Sequence, residues 1–86
     1  MRVSVTEEGR GIHPNEVVVS IATADGTERL VVHRRSIVQG ALEIGYPIFQ
    51  EGDKYLVELP RETMRGLWRV WVEQNSVFDS QERQTA

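Results

Sequence analysis

The sequence predicts a mainly β fold: a small antiparallel barrel or curled sheet of about five strands, α+β only to the extent of one or two short helices. Two observations carry most of this expectation. Alternating β-branched runs lie on both sides of Asp25-Gly26, and a second pair of strand-like runs flanks Gly52-Asp53. A third is economy, since closing a small sheet on itself removes its exposed edges.

Arg2–Thr6 reads as a short strand with Val3 and Val5 on one side. Glu7–Asn15, with two glycines and a proline, reads as a loop. Glu16–Ala24 and Thr27–Arg34 then form a hairpin, with Asp25-Gly26 as a two-residue type I′ turn. That register sets Ile21 opposite Leu30 and Val19 opposite Val32 on the core face. Val18 opposite His33, Ala22 opposite Arg29 and a Glu16–Arg35 ion pair fall on the outer face.

Ser36 is placed to cap a short helix over Ile37–Glu43, although Gly40 suits a bent strand almost as well. A second hairpin runs from Tyr46 to Leu59, with Gly52-Asp53 as its loop, Ile48 opposite Val57 and Glu51 opposite Lys54. Residues 60–74 allow two readings. Met64, Leu67, Trp68, Trp71 and Val72 make a helical stripe, whereas Gly66 and the valines favour a strand over Leu67–Val72. In the strand, Arg69 and Trp71 share one face, opposite Trp68, Val70 and Val72. Residues 1–78 are read as a single domain and 79–86 as a disordered polar tail.

Composition narrows the function. With 86 residues, no cysteine and a net charge of −3, disulfides, thiolate metal sites and a deep cleft are excluded. Apolar runs reach about three residues, against the ~18 of a membrane span, and no signal-peptide core follows Met1, so a cytoplasmic location is expected. Basic and acidic residues are interspersed, which disfavours a polyanion partner. Nine of the ten basic residues are arginine.

The motifs of nucleotide-binding loops and nucleophile elbows are missing from the sequence, and no paired carboxylates stand out. His13 and His33 would need to converge with Glu7, Glu8 or Glu16 to hold a metal, and no metal or cofactor is expected. Two arginine-rich spots remain: Arg29, His33, Arg34 and Arg35 on or after the return strand, and Arg61, Arg65 and Arg69 interleaved with Trp68 and Trp71; Arg29, His33, Arg35, Arg69 and Trp71 are the candidate contacts. Arginine beside an outward tryptophan suits a protein contact, and it also suits stacking of single-stranded nucleic acid. The expected function is therefore a non-enzymatic interaction domain that binds itself, as a homodimer, or another protein, with single-stranded nucleic acid as the alternative and no small-molecule substrate.

Overall fold

The computed structural model describes residues 1–79. Ten strands follow one another: β1 (Arg2–Ser4), β2 (Thr6–Arg10), β3 (Glu16–Thr23), β4 (Gly26–His33), β5 (Ile37–Val38), β6 (Ala41–Glu43), β7 (Phe49–Glu51), β8 (Lys54–Glu58), β9 (Arg69–Glu73) and β10 (Val77–Phe78). Single 3₁₀ turns at Arg34–Ser36 and Gln74–Ser76 are the only helical elements among the described residues. The strands form three open antiparallel sheets, ordered β10-β1-β6-β5, β2-β3-β4 and β7-β8-β9. The mainly β class holds; a closed barrel of about five strands does not, because each sheet ends in two distinct edge strands.

The long hairpin forms, but two residues out of the expected register. Val19 faces Leu30, Ile21 faces Glu28 and Glu16 faces His33. A type I′ turn needs positive φ at both central residues, and Asp25 does not have it. The turn instead spans Ala24-Asp25, with Gly26 at φ 116° beginning the return strand. The Thr23 hydroxyl accepts from the Asp25 N–H and donates to the Gly26 carbonyl. The Ala24 N–H donates to the Trp71 carbonyl on β9 at 2.8 Å, so the turn is fixed by a neighbouring sheet. A shift of two preserves side-chain parity, and Val17, Val19, Ile21, Leu30 and Val32 are all buried.

Three further expectations are corrected. Much of the expected 7–15 loop is strand: β2 pairs along β3 with an irregularity between Glu7 and Gly9. The helix over Ile37–Glu43 is a tight hairpin, β5 on β6, whose turn residues Gln39 and Gly40 sit at φ 55° and 76°. Type I′ geometry thus occurs here rather than at Asp25-Gly26. Glu16 pairs with Arg61 at 3.5 Å rather than with Arg35.

The second hairpin keeps its predicted turn, with Glu51 opposite Lys54 and Gly52 at φ 61°. Ile48 lies just outside β7, its N–H donating to the Leu56 carbonyl rather than pairing with Val57. Residues 69–73 are strand, as the valines favoured, but Trp68 precedes β9 and is 52% exposed instead of sharing the core face. The tail expected over 79–86 lies, Asp79 apart, outside the described residues.

Val3, Leu42 and Val77 from the first sheet, the hairpin aliphatics from the second, and Val57, Val70 and Val72 from the third form one core. The Cα atoms span only 17 Å along the shortest principal axis. At a sheet-to-sheet spacing of about 10 Å, that thickness accommodates about two layers, so sheet faces turned from the core meet solvent.

Candidate functional site

The best-defined surface is the outer face of β7-β8-β9. Strand alternation sends Val57, Val70 and Val72 into the core and leaves the residues between them outside. Phe49 pairs with Leu56 and Leu56 with Trp71, so an apolar row crosses all three strands. Phe49 is 59% exposed, and Leu56 and Trp71 are half-buried. The Phe49 and Trp71 rings meet edge to face, centroids 6.4 Å apart, an arrangement favoured by the ring quadrupoles.

Charged rows border this strip on both sides. Glu58 faces Arg69 on one side, and Glu51, Lys54 and Glu73 align on the other. The Arg69 guanidinium lies 3.2 Å from the Glu58 carboxylate, and the Lys54 ammonium lies 3.8 Å from Glu73 and 3.4 Å from Asp53. With Asp53 counted, four carboxylates against two cations leave the face at −2, with both cations engaged. Behind β7, Met1, Tyr46, Pro47, Ile48 and Tyr55 continue the apolar surface around a concavity of about 400 Å³ that Phe49 also lines.

Of the residues singled out from sequence, Arg69 and Trp71 share this face as alternation required. Arg29, His33 and Arg35 are elsewhere. Arg29 is exposed on β4, with its Nε 3.6 Å from Glu8. Glu8 also accepts from the Ser20 hydroxyl at 2.9 Å. His33 accepts at Nδ1 from the Arg35 N–H and so caps the 3₁₀ turn that contains Arg35. The two arginine-rich spots therefore belong to different sheets. Phe49 and Leu56 were missed because their role depends on cross-strand neighbours, although Lys54-x-Leu56-x-Glu58 and Arg69-x-Trp71-x-Glu73 repeat one pattern in the sequence.

A second concavity, about 420 Å³, lies between Val31 and the 59–68 loop and is lined by Arg61, Thr63, Met64 and Trp68. The Thr63 hydroxyl accepts from the N–H groups of Arg65 and Leu67 and closes that loop on itself. The Met64 N–H donates to the Arg29 carbonyl at the β4 edge. Among the described residues no three His, Asp or Glu side chains converge at metal-binding spacing, and no helix is long and apolar enough to cross a membrane.

Fold and surface together define a small mainly β protein of three open antiparallel sheets, one of which presents an apolar strip between charged rows. No protein-family model matches the chain, and neither the curated proteins nor the solved structures show a significant similarity to it.

Proposed function

We propose that this protein is a non-enzymatic interaction domain that works by self-association through the outer face of β7-β8-β9. The row Phe49–Leu56–Trp71 is the observation that carries this reading. An apolar row with Phe49 exposed and Leu56 and Trp71 half-buried, rimmed by charge, has the make-up of a contact patch, in which aromatic anchors supply the binding energy. Phosphate recognition needs cations free to meet it. Here Arg69 and Lys54 already face carboxylates, and Glu51, Glu58 and Glu73 would repel a polyanion stacking on Trp71. Single-stranded nucleic acid is accordingly the weaker reading.

Light scattering tests the proposal over a wide concentration range, since a small patch binds weakly. The weight-average mass is expected to rise above 9.8 kDa as concentration approaches about 1 mM. A constant 9.8 kDa would overturn it.

A further inference from the structure

We infer that the occupant of this face is a second copy of the chain, docked sheet on sheet about a two-fold axis running along the row Phe49–Leu56–Trp71; the inference rests on the self-association reading above. Its basis is the order of charges along the two longer strands. On β8 the outward residues run Lys54, Leu56, Glu58, and on β9 they run Arg69, Trp71, Glu73. Each strand carries a cation first, an apolar side chain at its centre and a carboxylate last. A strand of that kind complements its own reversed copy.

Rotation about the apolar row supplies the reversal. It keeps each strand over its own counterpart while exchanging the strand ends. Lys54 then lies over Glu58 of the second copy, Arg69 over Glu73 of the second copy, and both contacts occur twice. The apolar rows meet along the axis. The competing isologous arrangement, with the axis along β8, places Glu58 over Glu58, Lys54 over Lys54 and Glu51 over Glu73, so every charged contact is between like signs. Like charges across an interface oppose association, and the surface pattern therefore selects the first axis.

Geometry permits the contact. Packed sheets cross at about 30°, and each charged residue stands about 6.8 Å from the central row, two residues along the strand. The crossing displaces facing charges sideways by about 3.5 Å, within reach of lysine and arginine side chains. Two strands of five residues and one of three, about 4.8 Å apart, give a flat area on the order of 200 Å² per copy. The usual figure is about 800 Å² per partner, so the dimer is a weak one, populated at high local concentration.

Charge exchange tests the axis. Lys54→Glu sets carboxylates against Glu58 of the second copy at both symmetry-related positions, and Glu58→Lys sets ammonium groups against Lys54. Each variant alone should associate at least about tenfold more weakly than the native chain in sedimentation velocity. Mixed one to one, each contact is again between opposite signs, and association should return to near the native level. Circular dichroism melts check that each variant folds; Arg69→Glu with Glu73→Arg provides a second pair on β9. A native chain that associates while the single variants associate equally well, or a mixture that fails to recover, overturns the axis and leaves self-association standing. A native chain that stays monomeric to about 1 mM overturns both.

Discussion

Replacing Arg65 with alanine isolates one of the few charges the fold buries. Glu28 is 3% exposed, faces Ile21 across the hairpin and lies beside the core aliphatics of β4. Its carboxylate oxygen is 3.3 Å from Nε of Arg65, whose own side chain is 71% exposed. Breaking a fully buried pair by removing one partner costs about 3–5 kcal/mol. Arg65 is largely in water, where screening weakens the pair, so Arg65→Ala is expected to cost about 1–3 kcal/mol. Glu28→Met puts an apolar side chain of similar volume opposite Ile21 and should be neutral or stabilising. In that background Arg65→Ala should cost less than about 0.5 kcal/mol, giving a coupling of at least about 0.5 kcal/mol in the double-mutant cycle. Urea unfolding reads all four chains. With m about 1–2 kcal/mol/M, a loss of 2 kcal/mol moves the midpoint by about 1–2 M. If Arg65→Ala costs as much in the Glu28→Met background as it does in the native chain, the ion pair is not what anchors the 59–68 loop.

Other substitutions probe the turns and the close approaches. A Cβ at Gly11 would stand 2.5 Å from the Glu16 Cβ, so Gly11→Ala should cost about 1–3 kcal/mol by thermal melt. Gly9→Ala meets nothing within 4 Å and should stay near native stability. Gly40→Ala, at φ 76°, should lose about 1–2 kcal/mol, read as a lower melting temperature. Thr63→Val removes the acceptor for two backbone N–H groups; a cost of about 1–2 kcal/mol, with faster amide exchange at Arg65 and Leu67, is the expected result.

What the sequence made legible follows from period two. The buried set Val17, Val19, Ile21, Leu30 and Val32 survives a register error of two residues because parity does not change. Turn type was not legible. Asp-Gly suits a type I′ turn, but here the turn spans Ala24-Asp25 one residue earlier, and the Ala24–Trp71 bond from another sheet accompanies it. Gln39-Gly40 takes the type I′ geometry with no strong local signal for it. β2 was hidden because all five of its residues are exposed; its order comes from pairing with β3, not from burying side chains. At the candidate site, alternation placed Arg69 and Trp71 on one face, whereas their neighbours Phe49 and Leu56 needed the cross-strand register.

The arginine excess acquires a different meaning once the pairs are known. Arg2 reaches Glu43, Arg29 reaches Glu8, Arg34 reaches Glu7, Arg61 reaches Glu16, Arg65 reaches Glu28 and Arg69 reaches Glu58. Each pair links two segments of the chain that are apart in sequence, and four of them fasten β2, β3 or β4 to another segment. The pairs exposed on both sides, Arg29–Glu8, Arg34–Glu7 and Arg69–Glu58, contribute about 0–1 kcal/mol each, and the aliphatic core carries most of the stability. Their consequence is electrostatic. A guanidinium bound to a carboxylate of its own chain offers little net charge to a phosphate, and six of the nine arginines are held that way. On such a surface, recognition depends on the order of signs along an element. A strand whose order is complementary to its own reversal can favour a second copy, and β8 and β9 both have that order around a half-buried apolar centre.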